Sequence, residues 1–145
     1  LLVARNDFQP YQRALSAIDF SLCACSALGQ AYRLLPETAE LHALHVFEPD
    51  KGTQQQVEAQ LATQKALIDQ LLQDEQQNLP AKGPTLTHSV QQGGILRCLQ
   101  GHLKTQQTEL LVLGSHGRSA LSQALLGSLA QHFLHKAPCD ILVVR

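Results

Sequence analysis

Five short runs of the chain carry strand patterns: Ala14–Ile18, Leu41–Phe47, Leu86–Val90, Glu109–Leu113 and Asp140–Val144. Leu110–Leu113 and Ile141–Val144 hold no polar residue, as strands covered on both faces of a parallel sheet do. Between the runs, apolar residues recur at helical spacing over Leu22–Leu35, Thr53–Leu79, Ile95–Gln106 and from Ser128 to about Lys136. The strict alternation of strand and helix predicts an α/β protein. The expected form is an open three-layer α/β/α sandwich with a mostly parallel five-stranded sheet and right-handed crossovers.

The punctuation agrees with these boundaries. Pro36 ends the first helix pattern, Pro49-Asp50-Lys51-Gly52 makes a loop, Pro80–Pro84 follows the second helix, and Pro138 stops the last one. The Gln-rich stretch 54–77 still carries Val57, Leu61, Leu67, Ile68, Leu71 and Leu72, so it reads as a solvated amphipathic helix. Leu1-Leu2-Val3-Ala4-Arg5 echoes Leu142-Val143-Val144-Arg145, and a short connector with one proline follows it. Residues 1–12 are thus either an extra edge strand or arm, or the last strand of a preceding similar domain plus a linker. Residues 13–145 form the domain proper. An apolar edge strand of this kind invites pairing with another chain.

A length of 145 residues with 44% apolar residues suits one domain with one real core. The net charge of -1 gives no electrostatic case for nucleic acid or an acidic membrane, and 4% aromatics leave little for base stacking. No run of 18 apolar residues is present, so no membrane span is expected. Cys23, Cys25, Cys98 and Cys139 lack metal-ligand spacing. They are expected to be buried free thiols, which points to a reducing, cytoplasmic setting.

The chemistry concentrates in Leu110–Arg145. Gly114 directly follows the fourth domain strand, at the strand end where ligands of open α/β sheets sit. A residue without Cβ there allows a tight turn and lets an anion approach backbone amides. Gly117 offers the same freedom, and Arg118 beside it either contacts phosphate or is solvated. Gly127-Ser128-Leu129-Ala130-Gln131 looks like a helix start, with Ser128 as N-cap and Gln131 closing a capping box. Unpaired amides and the helix dipole make such a start an anion site, to which Ser128 either donates its hydroxyl or serves only as cap. The lysine of a Walker A motif is missing, and no G-x-G-x-x-G follows the first strand.

Ala17-Ile18-Asp19 closes the first domain strand. Asp19 is placed to accept from a ribose hydroxyl or to hold a water on Mg²⁺; the alternative is an Asx-type cap on the following helix. Ser21 is the expected helix cap. Val46, near the end of the second strand, is placed to meet an adenine edge through its backbone or simply to pack.

Taken together these residues resemble the universal stress protein family. The family pattern G-x2-G-x9-G-[ST] is complete as Gly114, Gly117, Gly127 and Ser128, and the words LVLGSHGRS, LLGSLAQHFLHKAPCDILVVR, ALSAIDFS and LHALHVFEP fit as well. The resemblance implies a fold related to the adenine-nucleotide α-hydrolase group. It implies binding of ATP (or ADP/AMP) with Mg²⁺, in a cleft formed by Ala17, Asp19, Val46, Gly114, Gly117, Arg118, Gly127, Ser128 and Leu129. Asp19 would take the ribose and metal side and Val46 the adenine, while the glycines and Ser128 would hold phosphates. It further implies a homodimer through the final strand, Asp140–Val144, and a tandem arrangement that would account for LLVAR.

No residue set for efficient turnover stands out. His116 is a conceivable proton acceptor, Ser115 beside it is a neighbour not expected to aim at it, and His132 with His135 makes at most a surface pair. The leading expectation is an ATP-binding regulatory stress-response module with at most slow hydrolysis or self-phosphorylation. The alternatives are a slow metal-dependent ATPase and a protein-interaction domain with an unused cleft.

Overall fold

The computed structural model describes residues 1–4, 9–116 and 126–145. In chain order the elements are β1 (Leu2–Val3), β2 (Arg13–Ile18), α1 (Leu22–Leu34), β3 (Glu40–Phe47), α2 (Gln54–Gln76), β4 (Thr85–Gln92), α3 (Ile95–Thr105), β5 (Leu110–Gly114), α4 (Ser128–His135) and β6 (Asp140–Val144). They form one sheet of order β1-β6-β5-β2-β3-β4 with helices on both faces. The five strands of the expected sheet are all parallel. The sixth, β1, is added antiparallel along β6, with Leu2 opposite Leu142 and Val3 opposite Ile141. The sheet is therefore mixed, and the echo between the chain's two ends is physically paired. The edge through which the resemblance implied a homodimer carries β1 in this chain.

Alternation along the strands sorts the core into two layers. Ala14, Ile18, Leu41, Ala43, Leu110 and Val112 face α1 and α2, while Leu15, Ala17, Leu44, Leu111, Leu113, Ile141 and Val143 face α3 and α4. In α1, Ala24, Ala27 and Ala31 let the helix lie close on the sheet, with Leu28 filling the gap. Its N-cap is Ser21, whose hydroxyl accepts from the Ala24 N–H at 3.2 Å. The Gln-rich α2 starts in a capping box, with Thr53 accepting from the Gln56 N–H and Gln56 returning to the Thr53 N–H. Only Ile68 and Leu72 of its 23 residues are fully buried, which anchors a helix whose other faces are solvated. Leu99 and Leu103 hold α3, and Ala130 and Phe133 hold α4. Among the described residues no helix is long and apolar enough to cross a membrane.

Two polar ties fix the connector before β2. The Tyr11 hydroxyl donates to Asp140 Oδ2 at 2.8 Å, and burial together with that carboxylate pushes the phenol up to about 12. Glu109 accepts from the Gln12 N–H and pairs with the Arg13 guanidinium at 2.8 Å. The four cysteines are free, but each is half-buried and not sequestered as expected. Their reactivity is nonetheless curbed where α1 meets the sheet, since burial pushes the Cys25 thiol up to about 11, aided by Glu75 and Asp19.

Candidate nucleotide site

The strand order reverses between β2 and β5. From β2 the chain moves outward through β3 to β4, then returns to the other side of β2 as β5. At such a switch point the loops leaving two adjacent parallel strands diverge, and a crevice opens beyond their C-terminal ends. A cavity of about 430 Å³ lies there. Its wall includes Ala17 and Asp19 from the end of β2, Gly114 and His116 after β5, and Gly127, Ser128 and Leu129 at the start of α4. That volume is within the ordinary range for small-molecule sites.

Each wall segment has a local cause. After β2 the chain bends at Phe20, which has φ 62°. This left-handed residue, unusual without glycine, lets Asp19 Oδ1 accept from both the Ser21 N–H (3.0 Å) and the Ser21 hydroxyl (2.5 Å). The Asx-type turn is thus present, and it holds the carboxylate at the cavity wall. After β5 the Ser115 N–H donates to the Val144 carbonyl at 2.7 Å, and the Ser115 carbonyl accepts from the Gly127 N–H at 2.7 Å. These bonds bring the start of α4 back to the end of β5 across the gap in sequence.

The cap of α4 differs from the sequence expectation. Gly127 is the N-cap and makes no side-chain cap bond, Ser128 is the first helical residue, and the Gln131 amide donates to the Leu126 carbonyl at 2.9 Å. The cause is the Gly127 N–H bond to Ser115, which fixes Gly127 in extended backbone at the helix boundary. Exposed Ser128 is therefore released from capping. The first helical amides, of Ser128, Leu129 and Ala130, precede any i to i−4 partner, so α4 presents three N–H donors toward the cavity end of the helix.

Gly114 also acts differently from the expectation. A Cβ on it would stand 2.8 Å from the Ala24 nitrogen and 2.9 Å from the Cys23 carbonyl carbon. The space is already filled by the first turn of α1, so the missing Cβ serves a close helix–strand approach. At Gly127 a Cβ would come within 3.1 Å of the Ser115 oxygen, the same kind of backbone crossing.

Ser115 and His116 do aim at one another, contrary to expectation for neighbours. Their Oγ and Nδ1 are 2.7 Å apart, because the backbone bonds at Ser115 set the bend between them. Ser115 is buried, which withholds its hydroxyl from the cavity as a nucleophile. Among the described residues His116 Nε2 is buried and has no hydrogen-bond partner, a state whose desolvation costs about 1–3 kcal/mol.

Of the residues predicted for the cleft, Ala17, Asp19, Gly114, Gly127, Ser128 and Leu129 share the cavity wall. Val46 is half-buried and packs in the cluster that also takes Leu126 and Leu129, off that wall. Gly117 and Arg118 lie outside the described residues. Ile95 and Leu113 line the cavity and were not foreseen. For Ile95 the available signal was the Gly93-Gly94 break just before an apolar residue. Among the described residues no cluster of three His, Cys, Asp or Glu side chains is placed to hold a metal ion.

A second cavity of about 430 Å³ lies beneath the end of α3, near the other end of the strands. Part of its polar wall is tied together: His42 bonds Thr87 and Ser89 at 2.7 and 2.8 Å, and Thr87 donates to Glu40.

The comparisons with known proteins fit this geometry. Residues 10–145 match the model of the universal stress protein family. The chain is 26% identical over 147 residues to universal stress protein YxiE of Bacillus subtilis, covering 93% of this chain and 99% of that one. Its fold is similar to universal stress protein UspA from Lactobacillus plantarum, with a TM-score of 0.80 at 23% identity over 95% of this chain and 100% of that one. It is also similar to a universal stress protein in complex with cAMP, with a TM-score of 0.67 at 21% identity over 94% and 98% of the two chains. With nearly its whole length matched, this chain belongs to the universal stress protein family.

Proposed function

We propose that the chain is an adenine-nucleotide-binding regulatory module of the stress response, taking ATP, ADP or AMP with Mg²⁺ in the cavity between β2, β5 and α4. One observation carries the reading: the first-turn amides of α4, which have no i−4 partner within the helix, and the Ser128 hydroxyl, which makes no cap bond, lie with Asp19 on one cavity at the switch point of the sheet. The amides and hydroxyl suit phosphate oxygens. Asp19 suits a ribose hydroxyl or a metal-bound water, and the apolar side chains Ile95, Leu113 and Leu129 suit the faces of a base or sugar. Gly117 and Arg118 complete the phosphate side in this proposal, and Val46 contributes from the adenine side through its backbone. The similar protein solved with cAMP supports an adenine nucleotide as the ligand class.

Turnover is at most slow in this reading. Phosphoryl transfer needs an oriented nucleophile and charge stabilisation on the transferring group, and the Ser115 hydroxyl is buried. The nucleotide then acts by stabilising one conformation, which a partner reads.

The test is nucleotide-dependent thermal stability with Mg²⁺. A ligand at 100 times its Kd adds about 2.7 kcal/mol, roughly 9 °C for a chain of this size. Ser128→Asp puts a carboxylate at the phosphate position while remaining favourable in the first turn of a helix. It is expected to keep the basal melting temperature and lose the nucleotide shift. Asp19→Asn keeps an acceptor for Ser21 and is expected to lose only the Mg²⁺-dependent part. Equal shifts in native protein and Ser128→Asp would refute the placement. No shift in native protein would leave a protein-interaction domain with an unused cleft as the better reading.

A further inference from the structure

The face of β3 and β4 that looks toward α3 departs from the rule for a covered sheet. Residues paired across parallel strands point to the same side, so Glu40, His42, Leu44 and Val46 share this face with Thr85, Thr87, Ser89 and Gln91. A sheet face packed under a helix is normally apolar, yet every β4 position here is polar. Departures of this kind gather at functional sites. Most of these residues line the second cavity of about 430 Å³, whose wall includes Glu40, His42, Thr87, Ser89, Gln91 and His102.

The hydrogen bonds within this wall have a fixed direction. A carboxylate can only accept, so Thr87 gives its single hydroxyl proton to Glu40 Oε1, at 3.1 Å. The Thr87 oxygen is then the acceptor for His42 Nδ1, 2.7 Å away, and the proton of the neutral ring sits on Nδ1. That leaves the Nε2 lone pair facing Ser89 Oγ at 2.8 Å, and the Ser89 hydroxyl donates to it. The chain of donors runs from Ser89 to His42 to Thr87 to Glu40. A serine on one ring nitrogen and a carboxylate reached from the other is the arrangement of a nucleophile, its general base and the group that orients the base. The His42 ring is also stacked on His102, with centroids 4.8 Å apart. Burial, and after it His102, hold His42 below the usual imidazole range, which keeps the Nε2 lone pair available at neutral pH.

We propose that Ser89 and His42 are the nucleophile and general base of an acyl-transfer site for small uncharged carboxylic esters, with Thr87 and Glu40 as positioning residues. His42 Nε2 takes the Ser89 proton as Ser89 Oγ bonds to the ester carbonyl carbon. The proton passes from Nε2 to the leaving alkoxide oxygen as its bond to that carbon breaks, which leaves acyl-Ser89 and an alcohol. Water, with His42 again as base, then attacks acyl-Ser89, releases the carboxylic acid and restores the hydroxyl. Gln91 is next on the same face of β4, and its amide makes no hydrogen bond among the described residues, so it is a donor for the carbonyl oxygen as charge develops there. The volume suits a small substrate. Glu40 at the wall disfavours an anionic one, and the Arg13 guanidinium is engaged by the Gln107 carbonyl and Glu109. This site is separate from the nucleotide cavity and does not rest on nucleotide binding.

Reaction of the chain with an uncharged alkyl fluorophosphonate, a reagent for activated serines, tests this, with the modified peptide identified by mass spectrometry. Ser89 is expected to be the modified residue. His42→Gln is expected to slow that modification by about 100-fold or more. Thr87→Val is expected to slow it as well and Thr87→Ser, which keeps the hydroxyl, to restore it, a pattern that a merely structural threonine would not give. The groups that bear on His42 are Glu40 of β3, Arg13 of β2, His88 of β4 and His102 of α3. In native protein the rate is expected to fall as pH drops below about 6.5, as Nε2 takes up a proton. The proposal is overturned if folded native protein leaves Ser89 unmodified, or if His42→Gln slows the reaction by less than about tenfold. If that variant does not fold, a rate in native protein that stays flat between about pH 8 and 5 overturns it.

Discussion

Gly114→Ala is the sharpest probe of how the site is built. The added Cβ would stand 2.8 Å from the Ala24 nitrogen, 2.9 Å from the Cys23 carbonyl carbon and 3.0 Å from the Cys23 Cβ. Two of these atoms are backbone in the first turn of α1, which is capped by Ser21 and packed on β5. No flexible side chain can swing away, so α1 must shift from the sheet. Overpacking of this kind costs about 1–3 kcal/mol. For a chain of this length each kcal/mol moves the melting temperature by roughly 3–4 °C, so a fall of about 3–12 °C is expected. Gly101→Ala is the matched control: nothing lies within 4 Å of a Cβ there, and the residue sits inside α3. It removes a helix-interior glycine and is expected to raise the melting temperature by about 2–3 °C. Calorimetry of the two variants beside native protein gives the answer. A Gly114→Ala protein melting within about 1 °C of native would show that α1 yields freely, and the close approach would not be what requires glycine.

Two further outcomes follow from burial and charge. Ile68→Ala, at a fully buried position of α2, is expected to cost about 2–5 kcal/mol in denaturant unfolding, whereas Leu67→Ala, half-exposed one residue earlier, should stay within about 0.5 kcal/mol; equal losses would contradict the two-residue anchoring of that helix. His42 and His102 are stacked at 4.8 Å, and burial holds both below the usual imidazole range, with Glu40 acting weakly the other way. The unfolded chain therefore takes up these protons more readily, and their contribution is present above about pH 6.5 and lost as pH falls below it. Melting temperature should drop between about pH 7.5 and 5 less steeply in His102→Gln than in native protein, and an unchanged slope would remove this pair from the account.

The parallel framework was legible because each of its elements satisfies its own local rule. Leu110–Leu113 suits a strand covered on both faces and is one, and the Ser21 and Thr53 caps mark helices that begin where the pattern says. The convergence of Asp19, Gly114 and Gly127 on one cavity was also foreseen, since strand ends and helix starts meet at a switch point. What escaped depends on contacts distant in sequence. The cap of α4 moved to Gly127 because Ser115, well before it in the chain, claims its N–H. The Ser115–His116 contact follows from a bond to Val144. The pairing of β1 with β6 was hinted at by the echo of LLVAR, but direction and register belong to the sheet.

The two glycines of the site bear on why its composition is so constrained. A missing Cβ can make room for a ligand or for the protein's own backbone, and these have different consequences. At Gly114 and Gly127 the neighbouring atoms are backbone of α1 and of Ser115. Substitution there would displace the α1 turn beside Asp19 or the start of α4. Those are the segments that carry the Asp19 carboxylate and the first-turn amides of α4. The glycines thus set the distance between the two walls of the cavity, and in the proposed function it is the polar groups on those walls that meet the nucleotide. A small residue at either position should therefore weaken nucleotide binding together with stability, whereas Ser128→Asp should separate the two. That difference in pattern, read from one set of melting curves with and without nucleotide, distinguishes a cavity held open by packing from one whose glycines touch phosphate directly.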